Sequence, residues 1–245
     1  MMGNVYVITG GTDGIGKSIV EKIISEDNGF KKIIVNYGHN ENKARELKES
    51  IEVKYRERLE FIKADMSDYD SVTEFAGLLK KGDKIDRLIC NVGVGEYAAF
   101  DDYTIEKWNR VINTNLTNPV FLIKELKDHM NKGGSIMLMA SYAGINAYST
   151  SLVYGVSKAG VVFLAKTLVK ELEKYGVTVN AVAPGFVETS WQAGRSDESR
   201  ERIDKKIALH RFATPEEVAD IAFDVMNNGY MNGSVIEIHG GYEYF

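Results

Sequence analysis

Apolar residues along this 245-residue chain fall into two alternating patterns. Short continuous apolar runs, of strand length and β-branched, recur at Val5 to Thr9, Ile33 to Val35, Leu59 to Ile62, Arg87 to Cys90, Ser135 to Met139, Thr178 to Ala183 and Val235 to Ile238. Between them lie stretches with apolar residues three and four apart, near 41–55, 68–80, 104–131, 152–175 and 215–227. Ile15, Ile19, Ile23 and Ile24 make another such stretch directly after the first run. Runs buried on both faces and alternating with amphipathic helices predict a parallel, doubly wound α/β sheet of Rossmann type with helices on both sides. A chain of this length forms one such domain. No linker, repeat or low-complexity tract divides it, and only 3 prolines interrupt it.

Composition narrows the function. With a net charge of −5 and an isoelectric point near 5.5, the chain offers no basic footprint for nucleic acid, so no nucleic-acid partner is expected. The single Cys90 lies inside an apolar run, which predicts a buried structural thiol and no disulfide within the chain. His39, His129, His210 and His239 are scattered without metal-ligand spacing, and no metal is expected. The chain enters its first strand with no cationic and apolar leader before it, and no run approaches bilayer length. Those readings predict a cytoplasmic protein with no membrane partner.

The chemistry sits in two places. After the first strand comes Gly10-Gly11-Thr12-Asp13-Gly14-Ile15-Gly16, where a helix begins. Glycines between a strand and a helix present backbone N–H groups at a helix N-terminus, a cradle for a pyrophosphate. The second place is Tyr154-Gly155-Val156-Ser157-Lys158. Residues four apart on a helix are neighbours, so the Lys158 charge is expected to stabilise a Tyr154 phenolate and pull its pKa down from about 10. Tyr103 and Lys107 repeat the spacing, but they follow Asp101 and Asp102 and read as an ordinary solvated helix start. Ser141 selects Tyr154: it follows the run Gly134 to Ala140, at a strand end where open parallel sheets meet their ligands.

Together these residues resemble the short-chain dehydrogenase/reductase family, and the match spans nearly the whole chain. Thr9-Gly10 with Gly14-Ile15-Gly16 has the family's glycine spacing, and Asn91-Val92-Gly93 matches its Asn-Ala-Gly turn with Val92 in place of alanine. The resemblance implies a seven-stranded sheet and a catalytic set of Asn115, Ser141, Tyr154 and Lys158. Asn115 would hold a water that links Lys158 to solvent. It further implies that Asp65 and Met66 lie at the adenine, and that Pro184, Gly185, Val187 and Thr189 hold the nicotinamide beside Gly93, Tyr154 and Lys158. Asp65 also reads as a helix N-cap, although Ser67 and Asp68 are better placed for that. The cofactor half would cover about 1–140 and the catalytic part 141–245, with a polar lid near 186–211 in which Phe186 and Trp191, together with Tyr148, wall the substrate.

The expected reaction is hydride transfer between a nicotinamide cofactor and a ketone or secondary alcohol, with Tyr154 giving or taking the proton and Ser141 donating to the same oxygen. Coenzyme choice turns on Val35 to Asn40, which includes Tyr37 and His39 and has no acid until Glu41. An NAD site usually places an acid there. That leans towards NADP(H), with NAD(H) the alternative because Asp13 would repel a 2′-phosphate. Chain length, the Ser141-to-Tyr154 spacing and Gly240-Gly241 are similar to those of 3-oxoacyl-acyl-carrier-protein reductases. Sugar, steroid and small-alcohol dehydrogenases share these features, and a catalytically idle dinucleotide sensor is the rival from another class. Basic residues near Lys127 to Lys132 and Lys170 to Lys174 are diluted by acids, so weak steering of an acidic carrier protein is expected. Apolar residues on more than one face of 104–131 and 152–175 predict a homotetramer, with a dimer second.

Overall fold

The computed structural model describes residues 3–27, 29–148 and 151–242. Its strands are β1 (Val5–Ile8), β2 (Lys32–Tyr37), β3 (Leu59–Lys63), β4 (Ile85–Cys90), β5 (Met130–Met139), β6 (Thr178–Pro184) and β7 (Val235–Ile238). They form one seven-stranded sheet in the order β3-β2-β1-β4-β5-β6-β7. Every pairing is parallel. The order reverses direction between β1 and β4, so the C-terminal ends of those strands diverge and open the crevice where such sheets bind ligands.

Both faces of the sheet are covered. On one, α4 (Tyr69–Leu79), α6 (Asn118–Leu126) and α7 (Leu152–Leu172) enclose a core that includes Leu88, Ile136 and Val179. On the other, α1 (Gly14–Glu26), α2 (Glu41–Ser50) and α9 (Pro215–Asn227) pack over Ile8, Ile33 and Val182. The expected helix at 215–227 is met to the residue because Thr214 and Glu217 form a capping box and Pro215 opens the first turn.

Three expectations need correcting. The stretch 41–55 divides into α2 and a short α3 (Val53–Arg56). The stretch 104–131 is not one helix: α5 (Ile105–Ile112) runs into a π-helical segment, Asn113–Thr117, before α6 begins, and β5 has already started at Met130. π-segments concentrate at functional sites, and hydropathy carries no sign of one. Third, Leu152–Tyr175 is long and apolar enough to span a bilayer, with mean hydropathy 1.5, against the expectation that nothing approached that length. It nevertheless carries Lys158, 3% exposed, within the protein, and its Val161 and Ala165 belong to the sheet's core.

Residues of 186–211, here termed the cover, line the cavity that holds Tyr154. The cover consists of a 3-10 turn at Ser190–Gln192 and α8 (Asp197–Asp204), anchored by Ile203, Ile207 and Phe212, which pack with Phe186 and Tyr242.

Candidate active site

The crevice is built first by backbone close approach. A Cβ on Gly16 would stand 2.2 Å from the Gly10 carbonyl oxygen, and Gly14 has φ +48° with Thr189 at 3.1 Å from its would-be Cβ. Only glycine fits such positions. Asn91, at the end of β4, locks this loop to the switch point: its Nδ2 donates to the Thr9 and Gly10 carbonyls, each at 3.1 Å, and its backbone N–H donates to Thr9 Oγ1 at 3.0 Å. From β2, the fully buried Asn36 accepts from the Gly10 N–H at 3.2 Å and donates to the Ala64 carbonyl at 2.9 Å.

A cavity of about 690 Å³ opens over that loop. Gly10, Asp13, Gly14 and Ile15 line it on one side, Asn91 and Gly93 on a second, and Pro184, Gly185, Val187 and Thr189 on a third. Ser141, Tyr154 and Lys158 line it as well. Residues expected from three distant parts of the chain are thus brought to one space. The glycine loop, with no room for a Cβ at Gly16 and set at the N-terminus of α1, fits a dinucleotide's pyrophosphate.

The adenine-end residues lie elsewhere. Tyr37, His39, Asp65 and Met66 are not in the cavity wall but at the ends of β2 and β3. His39 Nε2 is 3.5 Å from Asp65 Oδ2. The Asp65 carboxylate accepts from the Ser67 N–H and hydroxyl, at 2.8 and 2.7 Å, while Asp68 caps α4. Burial raises the Asp65 pKa, but those Ser67 bonds and His39 outweigh it and hold it below the usual carboxylate range. Met66 is buried, and its carbonyl accepts from Asn118 Nδ2 at 2.9 Å, so its side chain serves the core. Neither Thr12 nor Gly16 reaches the cavity wall; Gly16 contributes close packing instead.

Lys158 Nζ donates to the Met139 carbonyl at 2.6 Å and lies 5.8 Å from the centre of the Tyr154 ring. Ser141 Oγ accepts from the Ala143 N–H at 3.2 Å and hydrogen-bonds the Tyr154 phenol. The expected low tyrosine pKa is not found in the protein alone. Burial pushes Tyr154 up to about 12, with the Ser141 bond acting in the opposite direction, and burial brings Lys158 down to about 8. Burial is the largest cause of both shifts, since each group leaves water and its charged form is penalised. An added positive charge in the cavity would act on Tyr154 in the direction first expected.

Asn115 lies in the π-segment with both side-chain N–H donors engaged. Its Oδ1 accepts from the Val94 N–H at 2.8 Å, and its Nδ2 donates to the Val94 carbonyl and Ser157 Oγ, each at 2.9 Å. A Cβ on Gly93 would meet Lys158 Nζ at 3.3 Å and Asn115 Oδ1 at 3.6 Å. Asn115 thus ties the 91–95 segment to α7 through Ser157.

Trp191, Phe186 and Tyr148, expected from the sequence, line the cavity, together with Tyr97 and Tyr242, which sequence reasoning missed. Trp191 Nε1 donates to Tyr97 Oη at 3.2 Å, and the Trp191 ring lies 5.6 Å from that of Tyr154, joining the cover to the loop after β4. Tyr148 packs on Phe186 and Tyr242 at 5.5 and 4.8 Å. Lys43 ion-pairs with Asp13, which also accepts from Ser190 Oγ at 2.7 Å. The acid expected to repel a phosphate is thus already matched by a cation from α2. Its only sequence signal was the Asn40 N-cap, which starts α2 so that Lys43 falls in the first turn. Tyr103 precedes α5 rather than opening it, and its hydroxyl donates to the Glu96 carbonyl at 3.2 Å while Lys107 pairs with Glu96.

Comparison with known proteins fits this geometry. A family model described as enoyl-(acyl carrier protein) reductase matches residues 10–243. The chain belongs to the short-chain dehydrogenase/reductase family. It is 32% identical to the 3-oxoacyl-[acyl-carrier-protein] reductase FabG of Aquifex aeolicus, covering 98% of both chains. It is 30% identical to an acetoacetyl-CoA reductase of Synechocystis, covering 97% of this chain and 95% of that one. Among solved structures, a blue fluorescent protein from a metagenomic library in complex with NADPH superposes with a TM-score of 0.89 at 25% identity, covering 98% of each chain. Members of the family are NAD(P)-dependent oxidoreductases.

Proposed function

We propose that this protein reduces a ketone to a secondary alcohol with NADP(H), and that its substrates include 3-oxoacyl thioesters. The observation that carries the reading is the convergence of Tyr154, Lys158 and Ser141 on a cavity that the glycine loop also lines. A bound nicotinamide dinucleotide supplies the hydride. Tyr154 gives its proton to the oxygen of the reacting carbonyl while the Ser141 hydroxyl hydrogen-bonds the same oxygen, and Lys158 restores positive charge beside the phenol. Two hydroxyl donors suit a carbonyl oxygen that gains charge, and the two reductase relatives are named for 3-oxoacyl and acetoacetyl substrates. This favours ketone reduction over the activity named in the family model.

The coenzyme reading rests on the end of β2. No acid lies between Val35 and Asn40, and Lys43 and His39 stand nearby, which suits a 2′-phosphate. The thioester reading rests on the two reductase relatives. As to assembly, Ile105 and Phe163 on α5 and α7 are 65% and 67% exposed, and covering them by further copies supports a homotetramer, with a dimer as the alternative.

The test is to incubate purified protein with NADPH or NADH and a panel of ketones that includes acetoacetyl thioesters, following the loss of reduced-nicotinamide absorbance. NADPH-dependent turnover is expected. Absence of turnover with every carbonyl and both coenzymes would overturn the reading.

A further inference from the structure

The cover carries charge that no carboxylate matches among the described residues. Arg195, Arg202 and Lys206 line the same cavity as Tyr154. None of them has a carboxylate within ion-pair distance among the described residues, whereas the neighbouring Arg200 is paired with Glu188 and Arg211 with Glu217. The charges of α8 are sorted by face. Its acids Asp197, Glu198, Glu201 and Asp204 stay out of the cavity wall while Arg202 enters it, and Lys206 follows one turn later. Asp13 is the single acid lining the cavity among the described residues, and Lys43 already matches it.

Arg195 is held in place rather than free. Its Nε donates to Gln192 Oε1 at 2.8 Å, its Nη1 donates to Ser199 Oγ at 3.1 Å, and its guanidinium lies 5.6 Å from the centre of the Phe186 ring. Gln192 is itself buried, at 8% exposed. Neutral partners and an aromatic face orient the fork without cancelling its charge, the arrangement that favours recognition of an oxyanion. An ordinary solvated arginine would have no need of a buried glutamine and a ring to hold it.

We infer that the substrate of this site carries an anionic oxyacid group, a carboxylate or a phosphate, which Arg195, Arg202 and Lys206 hold in the same cavity as the reacting carbonyl. The inference rests on the carbonyl-reductase reading above and names the part of the substrate that reading leaves open. The aromatic wall of Tyr148, Phe186 and Tyr242 would cover the segment between the two groups.

Two pairs of probes separate the sources of the anion. One pair is 5-benzoylpentanoate and its methyl ester, which differ in a carboxylate. The other is acetoacetyl-CoA and acetoacetyl-N-acetylcysteamine, which share the reacting thioester and differ in the phosphorylated arm. For each pair, the ratio of kcat/KM for the anionic over the neutral member is measured in the wild type and in Arg195→Gln, Arg202→Gln and Lys206→Gln. Using the ratio cancels any general damage to the cover. In at least one pair the wild-type ratio is expected to be about tenfold or more, to fall several-fold in Arg195→Gln, and to shrink as salt rises. The pair that responds identifies carboxylate or phosphate. Ratios near one in both pairs, or ratios unchanged in all three variants, overturn the inference while leaving the reductase reading intact. If no probe is reduced, calorimetry with 5-benzoylpentanoate and its ester decides separately. Tighter binding of the acid, weakened in Arg195→Gln, keeps the anion site and removes the reductase reading; equal binding of acid and ester overturns the anion site too.

Discussion

Lys158 Nζ donates to the Met139 carbonyl oxygen at 2.6 Å, which ties this buried ammonium to the end of β5. Burial holds the pKa of this group at about 8 instead of 10.5. Below about pH 8 folded and unfolded chains both bind the proton, and the folded chain bears the full cost of a buried charge, roughly 3 kcal/mol at about 1.36 kcal/mol per unit. Between about 8 and 10.5 the unfolded chain binds more protons than the folded one, so this group makes stability rise with pH. Lys158→Met is therefore expected to melt higher than wild type at pH 7, by less than the full amount because the Met139 bond is lost, and the two should converge as pH approaches 10.5. Thermal melts across that range check it. In the wild type, reduction should also slow as pH passes about 8 and Lys158 loses its charge.

Asp13 and Lys43 control the coenzyme. With the carboxylate removed in Asp13→Ser, Lys43 is free to meet a 2′-phosphate, and the preference for NADPH over NADH in kcat/KM should rise about three- to tenfold, the scale of one partly exposed charged contact. Lys43→Ala should lower it. Opposite signs for the two substitutions are the expected outcome, and steady-state kinetics with each coenzyme reads them.

How far the sequence carried the reading follows from what each signal encodes. The strands and the glycine loop were legible because burial on both faces leaves continuous apolar runs and because close backbone approach demands glycine at fixed spacing. Ser141, Tyr154 and Lys158 were legible as a helical turn beside a strand end. The π-segment at Asn113–Thr117 was not, since its apolar spacing differs from an α-helix by one residue and Leu116 and Phe121 fit either. Lys43, Tyr97 and Arg195 were invisible for another reason: each reaches the site from an element whose place depends on tertiary packing. The direction of the Tyr154 shift was misread because sequence shows the partner charge and hides the desolvation.

Asn115 gives a structural prediction. Asn115→Ala removes one acceptor and two donors that hold the Val94 backbone and Ser157. Leaving those groups unpaired should cost about 1–3 kcal/mol, read from denaturant midpoints. Turnover should fall as well, because the 91–95 segment borders Lys158.

The exposed apolar faces of α5 and α7 give a prediction for assembly. Light scattering at micromolar concentration should return a mass near that of four 27.3 kDa chains. Phe163→Glu places a charge on a side chain 67% exposed in the single chain and should lower the mass. A wild-type mass of one chain would contradict the tetramer.

The most direct test of the catalytic account compares two tyrosines that share the same spacing to a lysine. Reduction of one acetoacetyl thioester by NADPH is followed for wild type, Tyr154→Phe and Tyr103→Phe. Tyr154→Phe should lose about 10²–10⁴-fold in turnover, the usual scale of general acid catalysis, while Tyr103→Phe, which gives up only a hydroxyl bonded to the Glu96 carbonyl, should stay near wild type. Full turnover in Tyr154→Phe would contradict its role as the proton donor.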